Sequence, residues 1–132
     1  MTILGIDYGE KRIGLALADP KSGVVWPYQV TKNVGREAVE KTLREVVALE
    51  DVNTVVLGIP LTLQGKEESA ARTVREFGSW AEKTLALPVV YVDERFTSAE
   101  ARHFAEQFGS KEIDAVAAAL ILKTYLEKAQ NE

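Results

Sequence analysis

The order in which strand-like and helix-like segments follow one another constrains the fold of this chain more than any other feature. The amino-terminal part contains three apolar segments separated by short turns, at Ile3 to Asp7, Arg12 to Asp19 and Val24 to Thr31. In the second segment bulky residues alternate with glycine and alanine, which is typical of a strand with one large and one small face. Pro27 has no N–H donor, which indicates that the third strand lies at a sheet edge. Together these segments predict an antiparallel meander.

After the meander, helical segments alternate with short strands. The helical segments are Arg36 to Leu49, Glu68 to Leu85, a helix that opens at Thr97 with Glu100 completing a capping box, and about Glu112 to Lys128. The strands between them are Thr54 to Ile59 and Val89 to Asp93. Strands separated by helices are joined by crossovers, so we predict an α/β fold with one mixed sheet and helices on both of its faces.

Length and composition restrict the class of protein. The chain has 132 residues and no linker or repeat, so we predict that residues 1–132 form a single domain. The absence of cysteine excludes disulfides, zinc–thiolate sites and cysteine nucleophiles, and it suits the cytoplasm, where we expect the protein to act. The amino terminus lacks the features of a signal peptide, and the longest apolar block, Ala115 to Leu122, is too short to span a membrane.

Three acidic residues stand at positions where a fold of this kind presents ligand-binding groups. Asp7 ends the first strand, Glu94 follows the fifth strand, and Asp114 lies in the first turn of a helix whose next residues are all apolar. Open α/β sheets bind ligands at the carboxyl ends of their strands, which is where we expect Asp7. Asp93 and Glu94 should point to opposite faces, so at most one of them can join a given site.

Each of these acids also has a purely structural interpretation. Asp7 could shape the turn that follows it, Glu94 could form a surface salt bridge, and Asp114 could interact with the dipole of its helix. Three clustered carboxylates, however, repel one another unless a cation is present, and hard oxygen ligands favour Mg²⁺ or Mn²⁺. Two such ions about 3.5–4 Å apart can activate a water and stabilise the departing oxygen of a phosphodiester. The three acids together therefore predict a two-ion site.

Several short motifs match those of a known family, in order along the chain. They are Gly5-Ile6-Asp7-Tyr8-Gly9, Lys11-Arg12-Ile13-Gly14, Gly58-Ile59-Pro60-Leu61, Asp93-Glu94-Arg95-Phe96-Thr97-Ser98, Ile113-Asp114 and Ile121-Leu122-Lys123-Thr124-Tyr125-Leu126. The chain resembles the YqgF/RuvX family of pre-16S rRNA nucleases and Holliday-junction resolvase-like proteins over nearly its whole length. The resemblance implies a ribonuclease H-like fold, a five-stranded sheet in the order 3-2-1-4-5, and an acidic metal-binding triad of Asp7, Glu94 and Asp114.

The chain departs from this family in two places. Gln64 stands where members often carry an acid, and Lys111 is the only basic residue where many members carry several before the third acid. The net charge of −4 likewise counts against a strongly basic surface for nucleic acid. Both departures leave the three acids in place.

Basic residues near the motifs are candidates for contacts with phosphates. They are Lys11, Arg12, Lys66, Arg72, Arg95 and Lys111. Each could equally be an ordinary solvated charge, and Arg95 could serve to neutralise Asp93.

We therefore hypothesise a nuclease that hydrolyses phosphodiester bonds with Mg²⁺ or Mn²⁺, in the processing of the 5′ end of pre-16S rRNA. Its partners would be structured RNA or branched DNA, or a ribosomal precursor particle, and it would act as a monomer or a homodimer. The alternatives are a Holliday-junction resolvase, a non-catalytic binding module in ribosome assembly, and an ATPase of the actin/hexokinase type. The opening hairpin of that last class also reads Gly-Ile-Asp-x-Gly, but its members need two such domains, and this chain has room for one.

Overall fold

The computed structural model describes residues 1–60, 68–94 and 113–130. The strands are β1 Thr2–Tyr8, β2 Arg12–Ala18, β3 Val25–Lys32, β4 Val52–Ile59 and β5 Val89–Asp93, and the helices are α1 Arg36–Glu50, α2 Ser69–Leu85 and α3 Ile113–Gln130. Each of them agrees closely with a segment predicted from the sequence. The predicted helix at Thr97 lies outside the described residues.

The strands form one mixed sheet in the order β3-β2-β1-β4-β5. β1, β2 and β3 pair antiparallel, and β4 and β5 continue the sheet parallel to β1. This confirms both the strand order and the combination of a meander with crossover strands. β3 is an edge strand, as predicted from Pro27.

Helices cover both faces of the sheet, as predicted. α1 and α2 lie on one face, where the large side chains of β1, β2 and β4 surround the fully buried Phe77. α3 lies on the other face and packs on Ile3, Val56 and the alanines of β2. Burial of each large apolar side chain contributes about 1.5–3 kcal/mol, so these two layers hold the strand ends in place. No helix within the described ranges is long and apolar enough to cross a membrane.

α3 lies directly against the sheet because small residues line both surfaces. β2 presents its small face to α3, and α3 presents alanines to β2. A methyl group at Gly14 would overlap the backbone carbonyl of Asp114, and a methyl group at Gly5 would lie 2.9 Å from the carbonyl oxygen of Ala118. Gly14 is the register partner of Asp7 on β1. The close approach therefore brings the first turn of α3 beside the end of β1.

One expectation about aromatic packing is wrong. The sequence spacing predicts packing positions for Trp26, Tyr28 and Trp80. Tyr28 and Trp80 pack against the core, whereas Trp26 is 37% exposed. Trp26 pairs with Leu17 of β2, and because β3 is the edge strand no further strand lies on its outer side.

Candidate active site

The parallel strands bring Asp7 and Glu94 to one edge and one face of the sheet. Asp7 pairs in register with Gly14, on the face that α3 covers. Glu94 follows β5 directly, and its backbone N–H donates to the carbonyl oxygen of Ile59 at 3.2 Å. Side chains alternate along a strand, so Asp93 faces α1 and α2 while Glu94 faces α3. Asp93 and Glu94 therefore point to opposite faces of the sheet, as predicted.

The carboxyl groups of Asp7 and Glu94 are joined by a hydrogen bond. Burial raises the pKa of Asp7 to about 6, and the negative charge of Asp114 adds to that rise. Burial also raises the pKa of Glu94 to about 8, with further contributions from the charge of Asp7 and the hydrogen bond to it. At neutral pH the pair therefore holds one proton, which Glu94 donates to the ionised Asp7.

Asp114 forms an ion pair with the guanidinium group of Arg12. In the first turn of α3 its Oδ2 accepts a hydrogen bond from Nε of Arg12 at 2.9 Å. The Asp114 side chain is 28% exposed and that of Arg12 is 62% exposed, so solvent weakens this ion pair. The charge of Asp114 nevertheless raises the pKa of Asp7, so the third acid belongs to the same electrostatic cluster.

The carboxylate oxygens of the three acids are the type of ligand that a divalent cation prefers. The positions of the three side chains match such a site only in part. Asp7 and Glu94 form a ready pair of hard oxygen ligands that binding would deprotonate. Across residues 1–60, 68–94 and 113–130, however, no three acidic side chains converge closely enough to hold one ion. Two of the three carboxylates expected to meet are therefore in contact. The third, Asp114, is paired with Arg12 and would have to leave it to join the other two acids around a cation.

Three of the six predicted phosphate-binding residues lie in the described part of the chain. Arg12 lies at the site through its bond to Asp114. Lys11 is exposed in the turn between β1 and β2, and Arg72 is exposed near the start of α2, on the face opposite α3. Three further candidates, Arg95, Lys66 and Lys111, lie outside the described residues.

Two residues that position the site were not identified as such from the sequence. A methyl group at Gly58 would lie 2.6 Å from Oε2 of Glu94, so this glycine leaves room for the carboxylate. The side-chain N–H of Asn33 donates to the carbonyl of Gly9 at 2.9 Å, and its backbone N–H donates to that of Lys11 at 2.9 Å. A glycine inside a β-branched run and an asparagine after a strand were the available signals.

The chain is similar to known proteins over nearly its whole length. The sequence matches the family model RuvX, described as Holliday junction resolvase, over residues 1–128. A relative from Maridesulfovibrio salexigens, named "Putative pre-16S rRNA nuclease", is 37% identical, and the match covers 98% of this chain and 100% of the relative. A relative of the same name from Endomicrobium trichonymphae is 38% identical, with 98% of each chain covered.

The fold is also found among solved structures. The Thermus thermophilus RuvC structure superposes with a TM-score of 0.62 at 15% identity, covering 99% of this chain and 97% of RuvC. At this identity the likeness concerns the fold, and it confirms the ribonuclease H-like architecture that the family resemblance implied.

Proposed function

The chain belongs to the RuvX family of nucleases, and on that premise we propose that it cleaves precursor 16S rRNA with divalent cations held by Asp7, Glu94 and Asp114. The observation that carries the proposal is the pair of half-buried carboxyl groups of Asp7 and Glu94, which share one proton at the carboxyl edge of the sheet. The relatives that match along their whole length carry the corresponding name. We expect the enzyme to act in the cytoplasm on structured RNA, free or within a precursor particle.

The roles of the chain's own residues follow from their positions. Asp7 and Glu94 would hold the first Mg²⁺ or Mn²⁺ ion, and Asp114 would complete the set once it leaves Arg12. When bound, such ions supply activation of the attacking water and stabilisation of the departing oxygen. Glu94 gives up its proton on binding because a cation favours the ionised carboxylate. Arg12, released from Asp114, is then free to donate to a substrate phosphate with its guanidinium group.

A cleavage assay tests the catalytic part of the proposal. Precursor 16S rRNA fragments are incubated with Mn²⁺ and with the parent protein or the variant Asp7→Asn. We expect the variant to lose cleavage by a factor of at least about 10³, because an amide cannot supply the charge that the ion requires. Glu45→Gln, an exposed acid on α1, is the control and should cleave like the parent. Equal cleavage by Asp7→Asn and the parent would contradict the assignment.

A metal titration separates the enzyme from a non-catalytic module. A protein that binds a cation only when folded gains stability with the concentration of that cation. We expect Mn²⁺ to raise the melting temperature of the parent and of Glu45→Gln, and to leave that of Asp7→Asn unchanged. A parent protein whose melting temperature does not respond to Mn²⁺ would favour the binding module.

A second candidate activity is the resolution of four-way DNA junctions. The description of the matched family as Holliday junction resolvase favours it. Symmetric cleavage of two junction strands requires two active sites, so this activity predicts a homodimer. The same assay with a four-way DNA junction in place of rRNA, combined with sedimentation analysis, decides between the two substrates.

A further inference from the structure

A pocket lies at the same edge of the sheet as the acids, on the face that α1 and α2 cover. Its volume is about 400 Å³, within the range of small-molecule sites in proteins. It lies between the end of β1, the end of β4 and the first turns of α2. The residues that line it are Tyr8, Glu10, Asn33, Pro60, Ala70, Thr73 and Val74. The catalytic roles proposed above use none of these residues.

The walls of this pocket are held by contacts outside it. The ring of Tyr8 stacks on the fully buried ring of Phe77, with centroids 4.2 Å apart. The hydroxyl of Tyr8 also accepts a hydrogen bond from Nη1 of Arg36 at 3.3 Å. On the opposite side Asn33 is fixed through its bond to the carbonyl of Gly9. The pocket is therefore preorganised, which lowers the entropic cost of binding a ligand.

The lining selects a neutral, flat ligand with hydrogen-bond donors. Tyr8 offers an aromatic ring, and Pro60 and Val74 offer apolar surface. The carboxylate of Glu10 disfavours a phosphate in the pocket itself, and it can accept from a hydroxyl or an amino group. A nucleoside combines a flat, stacking base with such donors, whereas its phosphates would remain outside.

The position of Tyr8 connects this pocket with the acids. Tyr8 directly follows Asp7, and neighbouring residues of a strand send their side chains to opposite faces. The Cα atoms of two adjacent residues are about 3.8 Å apart, a small distance on the scale of a nucleotide. The two positions are therefore close enough for one nucleic-acid strand to contact both over the sheet edge.

From these observations we infer that the pocket around Tyr8 binds one nucleoside of a single-stranded segment of the nucleic-acid substrate. This inference rests on the proposed function, because a nuclease must place a strand across the edge that carries Asp7. It adds a binding site to that function, with base stacking and hydrogen bonding as its chemistry.

Binding in the presence of EDTA tests the inference without any need for cleavage. The probe is a short, fluorescently labelled single-stranded oligoribonucleotide, and anisotropy gives its affinity. Two variants remove the site in different ways: Tyr8→Leu deletes the aromatic ring, and Ala70→Phe fills the pocket from an exposed position on α2. We expect each variant to weaken binding at least about fivefold, the lower end of the contribution of one stacked base. Trp26→Leu, a change of an exposed aromatic residue at the far end of the sheet, is the control and should bind like the parent.

The possible results separate this inference from the proposed function. If the parent binds the oligonucleotide and both pocket variants bind it equally well, the pocket is not a nucleoside site, and the nuclease assignment stands. If the parent neither binds the oligonucleotide nor cleaves rRNA with Mn²⁺, both are overturned. Mn²⁺-dependent stabilisation is measured for each variant, and a response like that of the parent shows that a loss of binding does not come from a distorted acid site.

Discussion

Asp7 and Glu94 share one proton at neutral pH, and the proposed function assigns this pair to a divalent cation. Burial makes the second negative charge unfavourable, and the pKa of both groups rises as a result. The hydrogen bond between them stabilises the singly protonated pair. A divalent cation reverses this balance, because it favours both carboxylates in their ionised form.

The first prediction at this scale concerns Asp7→Asn in the metal-free protein. Asparagine has nearly the shape of aspartate and no charge, so it removes a negative charge that burial and the neighbouring charge of Asp114 make unfavourable. We expect the free energy of unfolding in EDTA at neutral pH to rise by on the order of 1–3 kcal/mol. Urea denaturation measures the change. Glu45→Gln on the surface of α1 should alter it by less than about 0.5 kcal/mol. If Asp7→Asn instead lowers the free energy of unfolding, the charge of Asp7 does not destabilise the metal-free protein.

The second prediction concerns the ion pair of Arg12 and Asp114. Arg12 competes with any metal ion for Asp114, so Arg12→Ala should increase the affinity for Mn²⁺ in the absence of nucleic acid. The expected gain is at most about fivefold, because a partly exposed ion pair contributes up to about 1 kcal/mol. Isothermal titration calorimetry measures it. Arg44→Ala is a matched control, since Nε of Arg44 lies at the same 2.9 Å from a carboxylate oxygen of Glu40. Weaker Mn²⁺ binding by Arg12→Ala would instead show that Arg12 orients Asp114 for the ion.

At the scale of secondary-structure elements, α3 and the ends of β1, β4 and β5 build the site as one packed unit. Gly5, Gly14 and Gly58 are points where a side chain on the sheet would collide with α3 or with Glu94. At Gly58 a methyl group would meet both Oε2 of Glu94, at 2.6 Å, and the Cδ1 atom of Ile121 on α3. One glycine thus serves helix packing and carboxylate placement together.

The two roles of Gly58 can be separated by a double variant. We expect Gly58→Ala to destabilise the protein by about 1–3 kcal/mol through overpacking and to reduce cleavage. Ile121→Val removes the Cδ1 atom that the new methyl group would meet, while the contact with Glu94 remains. The double variant should therefore recover most of the stability and little of the cleavage. Recovery of both would show that Gly58 affects Glu94 only through α3.

The elements themselves were predictable because their signals are local. Period two in β2, the missing donor of Pro27 and the alanine-rich α3 predicted a strand, a sheet edge and a closely packed helix, whereas the strand order was implied by the family resemblance. Alternation of faces also separated Asp93 from Glu94 correctly. The ion pair of Arg12 with Asp114 joins residues that lie 102 positions apart in the chain, so no local pattern announces it. The exposure of Trp26 depends on which elements cover the edge strand, and the alternation of residues within that strand does not show this.

At the scale of the whole molecule, the formal net charge of −4 appears at odds with a substrate that is a polyanion. Two bound divalent cations would bring that formal charge from −4 to zero. The acids that contribute to the negative net charge would then be the groups that bind metal cations at the sheet edge. Affinity for nucleic acid should accordingly depend on the metal as well as on the basic side chains.

The same acids set how the stability of the molecule depends on pH. Their pKa values are raised on folding, from 3.8 to about 6 for Asp7 and from 4.5 to about 8 for Glu94, so the folded state binds more protons than the unfolded state in this interval. The free energy of unfolding in EDTA should therefore fall as the pH rises from about 4 to about 8, and level off above that. Subtracting the profile of the double variant Asp7→Asn/Glu94→Gln removes the contributions of all other ionisable groups. Excess Mn²⁺ should abolish the decline in the parent and leave the double variant unaffected, because the cation favours the ionised pair. A constant difference in the free energy of unfolding between parent and double variant across this interval would contradict the raised pKa values. It would mean that folding does not change the pKa of either carboxyl group.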